Sequence, residues 1–368
     1  MGVVGSILTM LIMLSILVVI HEWGHYIVAR LFKVKVDEFS IFMGPKLFQR
    51  VGKKTGTKFS IRALPIGGYC AMHDEDGSEG DPDDSEGSFY RKPKRVRAAV
   101  FVAGPLMNIL LGFLLVVIVF SIVGYSTNTI GRMEPGGLLD SYVDTADPGF
   151  RIEAGDRLVS YDGYAVNNAT EYSMFKGMDR DYISVIKIRK PDGRVRELTV
   201  DRTPDKEGEG MKLLGFSFEY VEHPGVFGVI GEAFIYLGTL VRMILYSIFW
   251  LITGRVGLEA VSGPVGITAV VSDVITAEAS IWDKVLTLVN MAALISVNLG
   301  IFNLLPFPGL DGGQLTLVGV EAITGGKRIP KEKQGLISFI GIAVLIVLAV
   351  VIMGKDIWQL ITGSLPGR

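Results

Sequence analysis

The chain has 368 residues, of which 49% are hydrophobic and 20% are charged. This balance is typical of a membrane protein with several spanning helices and a modest soluble part. The net charge of −2 gives no indication of a nucleic acid partner, and a single cysteine excludes a disulfide within these residues. The composition therefore predicts a polytopic α-helical protein that has the lipid bilayer as a partner and does not bind nucleic acid.

Four stretches are apolar and long enough to cross a bilayer, which takes roughly 20 helical residues. They are 3–20, 98–123, about 285–305 and 336–353. A fifth apolar stretch, 230–252, contains Arg242. If it crossed, the basic segment 326–333 and the basic loop 30–97 would lie on opposite sides, contrary to the positive-inside tendency. We therefore predict four transmembrane helices, with 230–252 lying in the interface or packed on the bundle.

This arrangement divides the chain into segments on alternate sides of the membrane. Both termini and the insert between the second and third spans are expected outside, and the two basic loops are expected in the cytoplasm. The predicted segments are a first span with its motif (1–33), a membrane-associated β region (34–72), an acidic then basic loop (73–97), a second span (98–124), a β-rich domain (125–206), an interfacial region (207–284), a third span with its motif (285–313), a cytoplasmic loop (314–335), a fourth span (336–354) and a tail (355–368).

The β-rich domain is predicted from alternation and turn residues. Residues 182–200 alternate around Pro-Asp-Gly at 191–193, which is typical of a β-hairpin. The run Gly-Asp-Arg-Leu at 155–158, followed by Asp-Gly at 162–163, resembles the PDZ domains of bacterial proteases. That resemblance implies a peptide C-terminus as ligand. A spacer or a filter for substrate size is the alternative.

The sharpest motif is His21-Glu22-Trp23-Gly24-His25, which directly follows the first apolar stretch. Residues four apart on a helix lie about one turn apart on nearly the same face, so both imidazoles can reach one ion. Zinc accepts imidazole nitrogens in a tetrahedral shell that leaves a position for water, and the intervening glutamate is the expected base. A chance match on a soluble helix is the alternative, but ionisable groups at membrane depth are costly and usually functional.

A catalytic zinc commonly has three protein ligands, so one more is expected. His73 lies in the acidic loop and His223 in the outer domain, so neither is expected to reach the first helix. Asp311 lies in the run 303–313, where two prolines must break the third span. With four spans this run returns to the side of His25. The alternative is an aspartate that caps a helix after the proline break.

These motifs together resemble the site-2 protease family, and in particular its bacterial regulator of sigma-E protease branch. The likeness rests on His-Glu-Trp-Gly-His in the first span, Asn-Leu-Leu-Pro-Phe-Pro-Gly-Leu-Asp-Gly-Gly at 303–313 and the PDZ-like insert. Gly-Pro-Leu-Met-Asn at 104–108 also matches the family. The resemblance implies that His21, His25 and Asp311 bind Zn²⁺ and that Glu22 is the catalytic base.

The resemblance also implies contacts with substrate. Asn303 is implied to contact the substrate backbone. Asn108 is implied to position substrate or stabilise an oxyanion, with an interhelical hydrogen bond as the alternative. The membrane-associated β region resembles the family's substrate-binding strands, and we expect an edge of 58–70 to pair with unwound substrate. The substrate-binding candidates there are Ile61, Ala63, Gly67 and Gly68.

The predicted function is therefore intramembrane proteolysis by a multi-pass zinc metalloendopeptidase of the bacterial inner membrane. The active site is expected near the cytoplasmic face, opposite the PDZ-like domain. Single-span proteins trimmed beforehand are the expected substrates, and the resemblance implies anti-sigma factors and remnant signal peptides. A non-catalytic scaffold would not need Glu22. A metal transporter would not need the broken third span, the strands or the PDZ-like domain.

Overall fold

The computed structural model describes residues 3–75, 87–140, 142, 149–178, 182–204 and 211–362. Most of the acidic stretch predicted at 73–88 lies outside the described residues. The chain divides into two compact units, one formed by Met1–Leu115 with Ser247–Arg368 and the other by Val116–Tyr246.

The first unit is mainly helical and holds all the residues of the predicted metal site. Its elements are α1 (Val3–Leu31), β1 (Val36–Val51), β2 (Lys58–Met72), most of α2 (Lys94–Val123), α5 (Pro264–Thr276), α6 (Ile281–Leu304), α7 (Asp311–Ile323) and α8 (Lys331–Thr362). A buried cluster joins α1, the strands, α2 and α7, and includes Ala29, Phe39, Val100 and Val318. Burial of these apolar side chains fixes the strands against the helices that form the site.

Strands β1 and β2 are long, and each contributes two separate segments to the pairing. Residues 38–41 pair with 68–71 on one side and with 58–61 on the other, and 58–61 pair in turn with 48–51. The two strands therefore make four paired segments in the order 48–51, 58–61, 38–41, 68–71, of which 38–41 and 58–61 run in the same direction and the outer pairs are antiparallel. The predicted β region at 34–72 is thus present, with its two edges at 48–51 and 68–71.

The second unit contains the predicted β-rich domain. Its elements are β3 (Tyr125–Met133), β4 (Arg157–Tyr161), β5 (Tyr164–Ala165), α3 (Ala169–Lys176), β6 (Ile183–Arg189), β7 (Val195–Asp201), β8 (Phe216–Val221) and most of α4 (Val226–Ile252). The strand order is β7-β6-β4-β3-β8, with β5 on β4. The predicted hairpin at 182–200 is formed by β6 and β7. The PDZ assignment stays a prediction.

The sheet extends beyond the predicted boundary at 206. Strand β8 pairs with β3 so that Tyr125 lies opposite Val221. The domain is therefore entered and left on neighbouring strands, as expected for a domain inserted between two segments of another unit.

Helix α4 packs against α3 through buried polar groups. The amide of Asn168 donates to the hydroxyl of Thr239 at 2.7 Å, and Arg242 forms an ion pair with the buried carboxylate of Glu171. Both Asn168 and Thr239 are at most 2% exposed. Arg242, which interrupts the apolar stretch in the sequence, thus has its partner in the inserted domain.

Among the described residues, five helices are long and apolar enough to cross a membrane. They are α1, α2, α4, α6 and α8, four of which are the predicted spans. Helix α4 is the stretch that we expect not to cross, so the four-span arrangement stays a prediction.

Candidate metal centre and active site

Helix α1 brings the two motif histidines together. The Nε2 atoms of His21 and His25 are 3.2 Å apart, and both residues are buried, at 7% and 6% exposed. The Oδ2 atom of Asp311 lies 2.9 Å from Nε2 of His21 and 3.4 Å from Nε2 of His25. The structure therefore brings the three predicted ligands to one point, with a ligand atom of each within 4.8 Å of the others.

The turn between α6 and α7 determines the position of Asp311. Helix α6 ends at Leu304, and α7 begins at Asp311 itself. A Cβ on Gly312 would lie 2.2 Å from the carbonyl oxygen of Leu305, so only glycine allows the turn to fold back this closely. The residue at the N-cap is Leu310, with no side-chain capping bond. The side chain of Asp311 does not cap the helix and is directed to the histidines instead.

Residues of helix α2 contact the Nδ1 atoms of both imidazoles. The carbonyl oxygen of Val100 accepts from Nδ1 of His25 at 2.8 Å, which leaves Nε2 of His25 free to bind a metal. The amide of Asn108 contacts Nδ1 of His21 at 3.3 Å. The interhelical hydrogen bond, one of the two roles expected for Asn108, is the contact present in the structure.

The orientation of the Asn108 amide bears on whether the site suits zinc. If Nε2 of His21 binds a metal, Nδ1 carries the proton and needs an acceptor. The Oδ1 atom of Asn108 is buried and has no hydrogen-bond partner among the described residues. Rotation of the amide by 180° turns this oxygen toward Nδ1. The site thus contains an acceptor suited to the tautomer that zinc binding requires.

Gly104 leaves the space in which the ligand atoms meet. A Cβ at this position would lie 2.3 Å from Nε2 of His25 and 2.7 Å from Nε2 of His21. The site therefore combines two imidazole nitrogens, one carboxylate oxygen and an open side, which is a donor set that suits catalytic zinc. The sequence showed Gly104 only as part of a motif. Its placement in an apolar helix, where small residues allow close approach, is the signal that could have identified it.

A cavity of about 280 Å³ opens beside these ligands. Glu22 and Asn303 both lie in its wall, together with Cys70 and Met72 of β2. The backbone N–H of Cys70 lies close enough to the carboxylate of Glu22 to interact with it. Glu22 and strand β2 thus line the same cavity.

The strand positions differ from the expectation for substrate pairing. Ile61 has strand partners on both sides, Ile41 and Phe48, so it lies inside the sheet and not at its edge. Ala63 lies where the pairing register shifts. The edge expected within 58–70 is therefore not formed by 58–61. A strand that alternates between two partners becomes internal, and this cannot be recognised from the alternation of its residues.

The edge beside the cavity is formed by 68–71. Among the described strands this segment pairs on one side only, with 38–41. Gly67 has a positive φ of 68°, and a Cβ on Gly68 would lie 2.8 Å from the carbonyl oxygen of Ser40. Both glycines are thus required by the local backbone, and Gly68 begins the edge segment.

A buried ion pair links α2 to α7. The guanidinium of Arg97 donates to Oε2 of Glu321 at 2.6 Å, and Arg328 donates to Oε1 at 3.2 Å. Burial opposes ionisation of Glu321, but these hydrogen bonds outweigh it and hold its pKa below the ordinary value. The pair fixes the helix that supports the histidines relative to the helix that begins at Asp311. Its two partners are 224 residues apart in the sequence, so no local pattern indicates the pair.

Comparison with known proteins agrees with this geometry. The model of peptidase family M50 matches residues 9–348. A protein of Clostridium acetobutylicum with a provisional zinc metalloprotease name is 33% identical over 96% of this chain and 97% of its own length. The zinc metalloprotease RasP of Oceanobacillus iheyensis is 26% identical over 96% of this chain and 99% of its own. The membrane metalloprotease ARASP of Arabidopsis thaliana, a chloroplast protein, is 29% identical over 97% of this chain and 79% of its own.

The match covers the histidine pair, the broken helix, the strands and the insert alike. It extends over the same residues that the structure brings together around one cavity. The chain therefore belongs to peptidase family M50, the site-2 protease family of zinc metalloproteases.

Proposed function

We propose that the protein hydrolyses peptide bonds within the membrane-spanning segments of other proteins. His21, His25 and Asp311 would hold the zinc ion, and Glu22 would act as the catalytic base. The observation that carries the proposal is the meeting of these four side chains at one cavity in a unit built of long apolar helices. Bound zinc would supply a Lewis acid that activates water and polarises the scissile carbonyl.

The residues of the chain account for the movement of the proton. Glu22 takes a proton from the attacking water and delivers it to the leaving nitrogen, so that an amine and a carboxylic acid are released. The backbone N–H of Cys70 lies beside the carboxylate of Glu22 in the same cavity. Asn303, in the wall of the same cavity, donates to or accepts from the substrate backbone.

A substrate helix must be unwound before its amides can react, because they are hydrogen-bonded within the helix. We propose that the unwound segment adds to the sheet at 68–71. The N–H of Cys70 faces Glu22 and not its strand partner Phe39. Because residues two apart in a strand face the same way, we expect the peptide groups of Gly68 to point to the same open side of the strand.

The proposed topology has four spans, with both termini and the inserted domain outside and the catalytic cavity near the cytoplasmic face. Helix α4 lies in the interface in this arrangement, since the buried contacts of Thr239 and Arg242 with α3 would otherwise be at membrane depth. The PDZ-like domain then screens substrates whose outer part has been trimmed, either by binding a peptide C-terminus or by size. Anti-sigma factors and remnant signal peptides are the proposed substrates.

The decisive experiment compares Glu22→Gln with the unchanged protein. The variant keeps all three ligands, so it is expected to bind zinc with unchanged stoichiometry and to lose cleavage of a single-span substrate in proteoliposomes. Asp311→Asn, as the matched variant, is expected to lose zinc as well. Cleavage by Glu22→Gln at more than a few per cent of the original rate would contradict the role of Glu22.

The pairing of substrate with 68–71 is tested on the substrate side. Single N-methylated amides are placed in turn along a peptide that spans the cleavage site. Methylation is expected to block cleavage at every second position and to be tolerated between them, because alternate amides of an added strand face the sheet. Uniform tolerance, or inhibition with no period of two, would contradict strand addition and leave the role of Glu22 untouched.

The inserted domain is tested by deletion. Removal of 127–205 is expected to allow cleavage of untrimmed single-span substrates at the rate of trimmed ones. Unchanged selectivity, with the cleavage of trimmed substrates intact, would contradict a screening role.

A further inference from the structure

A second, larger pocket of about 660 Å³ lies between α1 and the sheet segments 48–51 and 58–61. Its wall is aromatic. The Trp23 ring lies 5.5 Å from Phe39 and 5.2 Å from Tyr26, and Tyr26 lies 5.7 Å from Phe59. Trp23 belongs to the metal-binding motif but lines this pocket and not the catalytic cavity. The two linings share no residue.

Three cations lie at this pocket, and none of them has an anionic partner in the described part of the chain. Arg50, Lys53 and Lys54 contribute to its lining, and none of them has an ion pair among the described residues. Arg62, by contrast, is bound by Glu38 at 3.0 Å. The segment 39–72 contains six Lys or Arg and no Asp or Glu. The basic charge at this pocket is therefore not neutralised by the segment itself.

The strand region around the pocket presents apolar side chains outward. Leu47 is 70% exposed, Val51 is 53% exposed and Ile66 is 54% exposed. Exposed apolar side chains of this kind are suited to contact with lipid. Arg50 at the end of β1 and Lys53 and Lys54 in the turn 52–57 add positive charge next to this apolar surface. A ligand for this site must therefore offer an apolar chain and an anionic group a short distance away.

We propose that this pocket binds an anionic phospholipid, with an acyl chain against the aromatic wall and the headgroup phosphate at Arg50, Lys53 and Lys54. Basic pockets beside membrane helices recognise anionic headgroups. A spanning segment of a substrate matches the apolar wall but has no anion for the three cations. The site is distinct from the catalytic one and does not depend on proteolysis.

Trp23 supplies a direct reporter of binding. The chain has four tryptophans, and Trp250, Trp282 and Trp358 are replaced by phenylalanine so that only Trp23 fluoresces. The protein is placed in phosphatidylcholine bilayers that contain increasing fractions of lipid brominated on the acyl chain, with either phosphatidylglycerol or phosphatidylcholine headgroups. The brominated phosphatidylglycerol is expected to quench Trp23 with an apparent affinity at least tenfold higher.

The charges are tested with two matched variants of this single-tryptophan protein. The combined variant Arg50→Gln, Lys53→Gln, Lys54→Gln is expected to bring the two lipids within twofold of each other. The control variant Arg95→Gln, Lys327→Gln, Lys333→Gln removes as many charges elsewhere in the same unit and is expected to keep the preference. Should the first variant fold poorly, Lys53→Gln with Lys54→Gln in the exposed turn is expected to lower the preference at least threefold.

Three results would overturn the proposal. Equal quenching by the two lipids would show general contact with the bilayer. Equal loss of preference in both charge variants would show an effect of total charge. Relief of quenching by an uncleaved single-span substrate, measured in the Glu22→Gln background, would assign the pocket to substrate.

Discussion

Replacement of Gly104 by alanine tests the metal centre without removing any ligand. The added Cβ would lie 2.3 Å from Nε2 of His25 and 2.7 Å from Nε2 of His21. An ordinary contact of this kind is about 3.5 Å, so at least one imidazole has to move by about 1 Å. Zinc sites keep their distances within about 0.2 Å. The displacement thus exceeds the tolerance of the site about fivefold.

We expect Gly104→Ala to lower zinc affinity by more than 100-fold, beyond the 10–100-fold that is usual when a group supporting a ligand is lost. The substitution should not destabilise the helix itself, because alanine is favoured over glycine in a helix interior by about 1 kcal/mol. The assay is zinc retention against a series of chelators, with metal content measured by mass spectrometry.

Gly112→Ala is the matched control on the same helix. Its Cβ would lie 2.4 Å from a methyl group of Val297, and no ligand nitrogen is among its nearest neighbours. It is expected to lower the thermal stability through the packing of α2 on α6 and to retain zinc. Normal zinc affinity in Gly104→Ala would refute the placement of the ion between these helices.

The remaining predictions concern contacts that support the site. Asn108→Leu removes the acceptor available to Nδ1 of His21, and we expect a 10–100-fold lower zinc affinity in the same chelator series. Glu321→Gln leaves Arg97 buried without its charged partner and should cost about 3–5 kcal/mol of unfolding free energy at pH 7. Because the pKa of Glu321 is lowered in the folded protein, the contribution of its charge is complete above about pH 4.3 and is lost as the pH falls below this. The difference in melting temperature between the unchanged protein and Glu321→Gln should therefore become smaller as the pH is lowered from 7 to 3.5. A difference that does not change with pH would contradict the ion pair. Asp356→Ala leaves two buried amides at the start of α5 without an acceptor, at about 1–3 kcal/mol each, which chemical denaturation in detergent would detect.

The local chemistry of the site was predictable from the sequence. Two histidines four apart on a helix share a face in any fold, so His21 and His25 required no tertiary information. Prolines within 303–313 must break a helix, and the break separates Asp311 from the third span. The β-hairpin formed by β6 and β7 was likewise predictable, since its alternation and turn lie within twenty residues.

The positions of residues that act through another helix were not predictable. Helix α2 crosses α1 next to the two imidazoles. Only this crossing brings Val100, Gly104 and Asn108 close to them. The partners Arg97 and Glu321 are separated by more than 200 residues, so nothing local to either one indicates the other.

For the strand region, too, the sequence predicts the strands but not which of them lies at the edge of the sheet. Alternation predicted strands at 34–72, because each residue's preference for a pleated surface is local. Which segment is left at the edge depends on the order in which the segments pair, and that order is a property of the whole sheet. The sequence by itself thus determined the donor atoms of the metal site and the elements that carry them. Only the tertiary structure decided which backbone groups face the cavity and which glycine leaves room for the ion, because helix crossing and strand order are set by packing between distant segments.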